Sequence, residues 1–250
     1  MEGVAISQEF EAWFPDKSFH GVAGQFPLEI ESHRKRTLVC KETLASPGGE
    51  TLTVYFKVYA SRSRVLDGFA RRSRALNEAA NLDRFDAWGI RTPGVVARGY
   101  RRRLGGLCAD QSFIITRAAD AQSLVERWAS KTMPECGEVR NAVIRELAEQ
   151  TRVMHEQRFF HQDLKWRNLL VDEASQLWWI DCPSGHFGRF PWRFVHGRMK
   201  DLASLDHVGK DRCTPEERRL FLSVYLGTQE EDVIERWARL VVKYREKRFH

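Results

Sequence analysis

The chain has 250 residues, 42% of them hydrophobic, and its 40 Lys and Arg against 34 Asp and Glu give a formal net charge of +6. This length allows one large domain or two small lobes, and the charge favours acidic partners such as nucleotides, nucleic acids, anionic lipids or phosphorylated sugars. No run of about 18 apolar residues is present, which excludes a hydrophobic membrane-spanning helix.

Targeting and redox signals predict a cytoplasmic protein. The N-terminus begins Met-Glu-Gly-Val and lacks the basic and apolar regions of a secretion signal. The five cysteines are scattered and form no C-x-x-C pair. We therefore expect reduced thiols rather than a disulfide framework.

The first half of the chain predicts strands followed by one long helix. The strands are a weak one at 28–32, a better one at 37–43 and the clearest at 52–60. In the clearest strand, Val54, Phe56 and Val58 alternate with Tyr55, Lys57 and Tyr59, so the two sets face opposite sides. A Pro-Gly-Gly turn at 47–49 joins the last two strands.

Helical periodicity then runs over 63–88 and ends at Gly89, with Pro93 following as a stop signal. Two more strands are predicted at 95–100 and 112–116, on either side of a basic turn. This β-β-β-α-β-β order is that of the N-terminal lobe of a kinase. We place the lobe boundary near 117–122, which gives an N-lobe of 1–117 and a C-lobe of 118–250.

The second half is predicted to be mostly helical. An apolar stripe at 139–154 precedes His161, and an irregular aromatic and basic segment covers 187–195. Thr214, Pro215 and Glu217 form a capping box with proline at the first helical position. A last helix covers 231–247.

The pattern most informative about function is H-Q-D-L-K-W-R-N at 161–168, followed by Asp181 after an apolar strand. It compares with H-R-D-L-x-x-x-N and D-F-G, the catalytic loop and metal-binding motif of kinases. Asp163 would accept the proton of an attacking hydroxyl, and Lys165 would lie near the transferred phosphoryl group. Asn168 and Asp181 would bind Mg²⁺, which prefers oxygen ligands.

A kinase site also needs a lysine on the third strand and a glutamate on the following helix. Lys57 and Glu78 meet this need, and Asp83 and Asp67 are alternatives to Glu78. A charge inside a strand rich in aromatic residues needs a partner, which predicts an ion pair between Lys57 and Glu78.

Two further residues have structural interpretations. Asp201 either accepts backbone N–H groups of the catalytic loop or is an acid near a helix N-terminus. His161 is interpreted as a histidine that fixes the loop rather than as a catalytic base.

At these residues the chain resembles the bacterial lipopolysaccharide kinases, a family of Kdo and core-heptose kinases related to protein kinases. The resemblance covers nearly all of the chain past about residue 25. It rests on Y-F-K at 55–57, N-E at 77–78, G-I-R-T-P at 89–93, S-F-I-I-T at 112–116, the loop at 161–168, W-I-D at 179–181, K-D-L-A-S-L at 200–205 and R-L-F-L-S-V-Y-L at 219–226.

The resemblance implies an α+β, two-lobed protein-kinase-like fold that uses ATP and Mg²⁺. The acceptor would be a sugar hydroxyl of the lipopolysaccharide inner core, phosphorylated on the cytoplasmic side of the inner membrane. Arg117 and Ala118, at the predicted lobe boundary, complete the predicted cofactor-binding set with Lys57 and Glu78.

Three departures from the kinase pattern are visible. No G-x-G-x-x-G loop is present, and a basic turn, S-H-R-K-R at 32–36, stands between the first two predicted strands. Cys182 and Pro183 replace the Phe-Gly of D-F-G. Gln162 replaces the loop arginine that binds an activation-loop phosphate in regulated protein kinases, which indicates an enzyme not switched by its own phosphorylation.

Two basic regions have open interpretations. Arg189, Trp192, Arg193 and Arg198 suit either an anionic sugar or a membrane surface. The last helix carries six basic residues and suits contact with anionic lipid, although a solvated basic face is a common alternative. These residues are Arg236, Arg239, Lys243, Arg245, Lys247 and Arg248.

Three alternatives to a lipopolysaccharide kinase stay open at this point. The chain would be a kinase for a protein or small-molecule acceptor, or a pseudokinase that serves as a scaffold, which the missing glycine loop favours. Nucleic-acid binding is the weakest, because no zinc ligands, RNP-type motif or helix-turn-helix signature accompany the basic balance.

Overall fold

The computed structural model describes residues 2–27, 37–60, 73–103, 108–129 and 137–249. The chain forms two compact units. The first, the sheet unit, comprises Met1–Arg84 and Pro93–Ala119, and the second, the helical unit, comprises Phe85–Thr92 and Asp120–His250. In this division the segment 85–92 groups with the helical unit, and the lobe bounds 1–117 and 118–250 stay a prediction.

The sheet unit contains five antiparallel strands in the order β1-β4-β5-β3-β2. Their bounds are β1 Glu2–Ile6, β2 Thr37–Ala45, β3 Thr51–Ala60, β4 Val95–Arg103 and β5 Cys108–Arg117. The strand predicted at 28–32 and the basic turn at 32–36 lie outside the described residues.

The alternation predicted for β3 decides which of its faces is buried. Val54, Phe56 and Val58 are almost fully buried in the core of the sheet unit. Lys57 and Tyr59 point to the opposite side, because successive side chains of a strand alternate. The face of β3 that carries Val54, Phe56 and Val58 therefore packs into the apolar core, and Lys57 lies on the other face.

An N-terminal cover for this core was not predicted. A 3-10 turn, Gln8–Trp13, supplies the buried Phe10, a short helix, α1 Phe19–Ala23, supplies Phe19, and Phe26 follows this helix. Phe26 stacks on Phe56 with ring centroids 4.0 Å apart. Residues 2–26 thus complete the sheet's core and add its edge strand β1.

Helix α2, Arg74–Ala87, places Glu78 on its buried side with Ala75 and Ala79. The predicted start of this helix at 63 lies outside the described residues. Gly89 has a φ of +74°, and the N–H of Ile90 donates to the carbonyl of Phe85 at 2.8 Å. The predicted glycine stop is present, because glycine adopts a left-handed conformation at little cost.

The helical unit contains five helices and five short strands among its described residues. The helices are α3 Leu124–Ala129, α4 Glu138–Glu156, α5 Pro191–Arg212, α6 Pro215–Leu226 and α7 Glu231–Phe249. The strands are β6 Ala121–Ser123, β7 Phe159–Phe160, β8 Leu169–Asp172, β9 Leu177–Trp179 and β10 His186–Phe187. None of the helices in the described part of the chain is long and apolar enough to cross a bilayer.

Helix α6 begins as predicted. Thr214 accepts the backbone N–H of Glu217, and the Glu217 side chain accepts the N–H of Thr214. Glu217 also accepts two hydrogen bonds from Arg140 of α4, at 2.7 and 2.9 Å. The cap therefore also ties α6 to α4.

The prediction of an irregular segment at 187–195 is wrong for most of its length. Phe187 lies in β10, and α5 begins at Pro191. Phe190 is extended before it, as a residue preceding proline favours, and proline at the first helical position loses no helix hydrogen bond. The aromatic residues obscured this helix start in the sequence.

Candidate active site

Two short antiparallel strands place the acidic loop of the helical unit. Residues 161–168 lie between β7 and β8, and Asp181 follows β9. Because β8 pairs antiparallel with β9, with Leu169 opposite Trp179, the start of β8 lies beside the end of β9. The N–H of Ile180 accordingly donates to the Asn168 carbonyl at 3.0 Å, so Asn168 and Asp181 are neighbours.

Asp163 is a half-exposed carboxylate beside two cations. Lys165 Nζ lies 2.5 Å from its Oδ1, and Arg167 lies 3.8 Å from its Oδ2. Burial raises the pKa of Asp163, but the hydrogen bond and charge of Lys165 and the charge of Arg167 outweigh this and leave the pKa below its usual value. Asp163 is therefore ionised at neutral pH and able to accept a proton.

Asn168 is buried and its amide orientation is fixed by the loop. Its Nδ2 donates to the Asp163 carbonyl at 2.9 Å, and its own N–H donates to the Lys165 carbonyl at 2.8 Å. Because the Asn168 Nδ2 is bonded within the loop, its Oδ1 is the atom that could bind a metal ion. Asn168 and Asp181 thus offer an amide oxygen and a carboxylate, a donor set that fits Mg²⁺, which takes few protein ligands.

No cluster of three or more His, Cys, Asp or Glu side chains suited to a metal occurs in the ranges that the structure describes. Mg²⁺ sites of phosphoryl-transfer enzymes take one or two protein carboxylates and obtain their other oxygens from substrate phosphates and water. The metal-binding role of Asn168 and Asp181 stays a prediction.

Two site residues have left-handed backbones. Gln162 has a φ of +69° and Asp181 a φ of +60°. Non-glycine residues rarely adopt this conformation, and where they do, the surrounding structure holds them and the position is often functional. Gln162 is held on one side by Lys200, whose Nζ donates to its Oε1 at 2.6 Å.

Asp201 holds the start of the loop 161–168 through two hydrogen bonds. Its fully buried carboxylate accepts the N–H of His161 at 2.8 Å and the N–H of Gln162 at 2.9 Å. It lies inside α5, so the alternative of an acid at a helix N-terminus is wrong. Asp201 therefore positions the segment immediately before Asp163.

A buried polar network extends from Asp201, and its members were not predicted. His155 Nε2 lies 3.5 Å from Asp201 Oδ2, and His155 Nδ1 lies 2.8 Å from the Tyr225 hydroxyl. Arg198 Nε donates to the same hydroxyl. Arginine only donates, so the Tyr225 oxygen accepts from Arg198, while the donor in the contact between Tyr225 and His155 Nδ1 follows from the imidazole tautomer.

The two buried histidines predict acid sensitivity. Burial lowers the pKa of His155 and of His161 and outweighs the Asp201 carboxylate, which raises both. Since the unfolded chain binds protons that the folded chain rejects, stability is full above pH of about 6.5 and is lost as the pH falls below it.

We expect the free energy of unfolding to fall by up to about 1.4 kcal/mol per pH unit for each of these histidines. Chemical denaturation at pH values of about 7.5, 6.5 and 5.5 measures this slope. His155→Gln should remove about half of this pH dependence. A free energy of unfolding that stays constant between these pH values would contradict the interpretation.

In the sheet unit, Lys57 and Glu78 form the ion pair that the sequence predicted, with Nζ 3.0 Å from Oε1. Both side chains are largely buried. The Tyr59 hydroxyl donates to the other oxygen of Glu78. Tyr59 was missed, although its position two residues after Lys57 on the same strand face was a sufficient signal.

Replacing Lys57 should reduce turnover far more than replacing a lysine elsewhere in the same sheet. We expect Lys57→Met to lower kcat/KM for phosphate transfer roughly 10²- to 10³-fold, the usual cost of removing one preorganised charge. Lys41→Met is the matched control, because Lys41 is an exposed lysine on the neighbouring strand β2. Steady-state kinetics with varied nucleotide measures both, and equal losses would exclude a specific role for Lys57.

Arg117 and Ala118 lie at the end of β5 with their backbone N–H groups already bonded. The N–H of Arg117 donates to the Gly94 carbonyl at 3.0 Å and that of Ala118 to the Thr53 carbonyl at 2.9 Å. A hydrogen bond from the Ala118 backbone to a nucleotide would thus use its carbonyl oxygen. Their cofactor-binding role stays a prediction.

Comparison with known proteins assigns the family. The model of the lipopolysaccharide kinase (Kdo/WaaP) family matches residues 59–225, about two thirds of the chain. The chain belongs to this family. The matched span contains Glu78, Asp163, Asn168 and Asp181 and begins two residues after Lys57.

Membership in the Kdo/WaaP family agrees with the fold. A solved structure described as WaaP in complex with acyl carrier protein matches with a TM-score of 0.67 and 19% sequence identity, over 98% of this chain and 97% of that chain. This likeness confirms the predicted kinase-like fold. No curated protein matches the chain.

Proposed function

We propose that this chain transfers phosphate from ATP, with Mg²⁺, to a sugar hydroxyl of the lipopolysaccharide inner core, on heptose or Kdo. Family membership supports the reaction class. The observation that carries the proposal is the Asp163 carboxylate, ionised and fixed in a loop that Asp201 and Asn168 hold in place.

Each site residue has a stated task. Asp163 orients the acceptor hydroxyl and takes its proton as the oxygen attacks, and Lys165 places a positive charge beside Asp163 where the phosphoryl group carries negative charge. Asn168 and Asp181 would hold Mg²⁺, which neutralises phosphate charge when bound. Lys57, oriented by Glu78, would contact the nucleotide phosphates.

An acceptor comparison tests the substrate class. Dephosphorylated core oligosaccharide, a generic protein substrate and an aminoglycoside are each offered with labelled ATP and Mg²⁺. The proposal expects label in the oligosaccharide alone. Label in the protein or the aminoglycoside would favour the alternative of a kinase with another acceptor, and nucleotide binding without transfer to any acceptor would favour a scaffold.

A lipid-linked acceptor would require contact with the inner-membrane face, so we include peripheral membrane association in the proposal. The net charge of +6 supports this, since anionic lipid attracts basic surfaces.

An acyl carrier protein is a further proposed partner, by likeness to the WaaP complex. A mainly apolar cavity of about 550 Å³ in the helical unit supports it, because an acyl chain needs such a space. Leu205, Leu222 and Ile234 are among its lining residues. Native mass spectrometry of the chain mixed with acylated and unacylated carrier would test the partner, and equal binding of the two would contradict a role for the cavity.

A further inference from the structure

We propose that the chain docks on an anionic bilayer through one preformed surface, here called the aromatic–basic surface. It consists of Phe187, Arg189, Phe190, Trp192, Arg193 and Val195. The inference deepens the proposed membrane association and rests on it, by naming the residues that would make the contact. Its test needs neither nucleotide nor acceptor, so it fails or succeeds independently of the kinase reaction.

The apolar residues of this surface are exposed to an unusual degree. Phe187 is 45% exposed, Phe190 55%, Trp192 66% and Val195 60%. They account for four of the eight large hydrophobic side chains that are exposed among the described residues, and all four fall within nine positions. Single exposed apolar residues are ordinary, but a contiguous group marks an interaction surface.

Packing beneath the surface fixes its position. Phe187 packs against Phe159 with ring centroids 5.1 Å apart, and Phe194 packs against Phe160 at 5.7 Å. A Cβ on Gly188 or Gly197 would lie within about 2.5 Å of the Phe160 ring, so both glycines let the backbone approach it closely. The N–H of Gly188 also donates to the Arg158 carbonyl at 2.7 Å.

The exposed rings are arranged side by side. Phe190 and Trp192 stack with an interplanar angle of 14° and centroids 6.5 Å apart, and the Arg193 guanidinium lies 5.1 Å from the Trp192 ring. Trp192 and Val195 are three residues apart near the start of α5, so they share one helix face. The rings and guanidinium form one amphipathic patch, the composition that inserts at the headgroup level of a bilayer.

Charge selects an anionic partner. No Asp or Glu occurs between Asp181 and Asp201, whereas Arg189, Arg193, Arg198 and Lys200 lie in this interval. Arg189 and Arg193 are exposed, and neither forms an ion pair within the ranges that the structure describes. Arg198 and Lys200 are instead bonded to Tyr225 and Gln162. Two unneutralised cations beside exposed rings match lipid headgroups that carry negative charge.

The last helix, the other basic region that the sequence singled out, is less suited to this role. Arg245 is bonded to Asp206 at 2.5 Å and is mostly buried, and Arg239 pairs with Glu235. Four acids lie along α7, namely Glu231, Asp232, Glu235 and Glu246. Leu240 is the single large hydrophobic residue exposed among the described residues of this helix.

Vesicle flotation tests the proposal with the full chain. The probes are vesicles of phosphatidylethanolamine with phosphatidylglycerol and vesicles of phosphatidylcholine alone. Wild type should partition to the anionic vesicles, and high salt should weaken the binding. Phe190→Ser combined with Trp192→Ser should lower the partition coefficient roughly tenfold or more. Arg189→Gln combined with Arg193→Gln should lower it by a similar factor, roughly tenfold, on anionic vesicles only.

Matched controls separate this surface from general effects of charge and apolarity. Arg236→Gln combined with Arg239→Gln removes the same charge from α7, and Leu240→Ser removes a side chain 46% exposed. Both should leave the partition coefficient within about twofold of wild type, since neither touches the aromatic–basic surface. Circular dichroism and thermal unfolding check that each variant is folded.

Three outcomes would overturn the proposal. The first is absence of wild-type binding to the anionic vesicles. The second is loss of binding in the α7 variants rather than in the surface variants. The third is unchanged vesicle binding in the surface variants with a raised KM for soluble core oligosaccharide, which would identify the segment as an acceptor face.

Discussion

Asp163→Asn is expected to lower kcat for phosphate transfer roughly a thousandfold, within the range that a positioned acid or base contributes. The amide cannot accept the proton of the acceptor hydroxyl as an ionised carboxylate does. Nucleotide affinity should stay within a few-fold of wild type, because Asp163 is assigned to the acceptor rather than to the phosphates. Single-turnover transfer and equilibrium nucleotide binding measure the two quantities separately.

Asp172→Asn is the matched control for Asp163. Asp172 ends β8, in the same small sheet, and its carboxylate accepts hydrogen bonds from Gln176 N–H and Trp178 Nε1. We expect this variant to keep kcat near the wild-type value. Full activity in Asp163→Asn, or an equal loss in both variants, would mean that Asp163 has no special part in the chemistry.

Asp201→Asn is expected to reduce stability and turnover together. The carboxylate accepts two loop N–H groups, whereas an amide offers one oxygen and turns an NH₂ group toward the other donor. A buried donor left unsatisfied costs about 1–3 kcal/mol, so the free energy of unfolding should fall by about this amount. Because the loop that carries Asp163 is displaced, kcat should also fall.

A control on the same helix distinguishes loop positioning from general destabilisation. Asp206 lies five residues further along α5, is largely buried, and binds Arg218 at 2.8 Å and Arg245 at 2.5 Å. Asp206→Asn should also reduce stability but leave kcat of the folded protein close to wild type, since its bonded partners Arg218 and Arg245 lie on α6 and α7 rather than in the loop. If Asp206→Asn and Asp201→Asn lower kcat equally, Asp201 does not act through the loop.

Local patterns predicted much of the fold. Alternation in β3 correctly separated the buried face of Val54 and Phe56 from the face of Lys57, because strand geometry has a period of two. The capping box at Thr214 marked a helix start because its hydrogen bonds are made between residues three apart. Such signals lie within a few positions of one another and are visible in one sequence.

Contacts between segments far apart in the chain could not be predicted from the sequence. The strand Glu2–Ile6 pairs with β4, and Phe26 stacks on Phe56, yet nothing local in the N-terminal residues indicates these partners. The helix start at Pro191 was also missed, because exposed aromatic residues interrupt the apolar periodicity that predicts a helix.

The candidate site divides in the same way. The sequence singled out Asp163, Asn168, Asp181, Lys57 and Glu78 because kinase chemistry needs these residue types at these intervals. It could not give the link from Asp201 through His155 to Tyr225, since these residues come from three helices and no spacing relates them. The residues that hold the catalytic loop in place are brought together by helix packing, and a single sequence does not show which helices pack together.

The measurement that tests the central claim most directly is the position of labelled phosphate after reaction of wild-type chain with labelled ATP, Mg²⁺ and dephosphorylated lipopolysaccharide core. We expect the label on a heptose or Kdo hydroxyl, identified by mass spectrometry of the released sugars, and none with Asp163→Asn. Label confined to protein, or release of inorganic phosphate without a labelled sugar in the wild-type reaction, would contradict the assignment as a lipopolysaccharide sugar kinase.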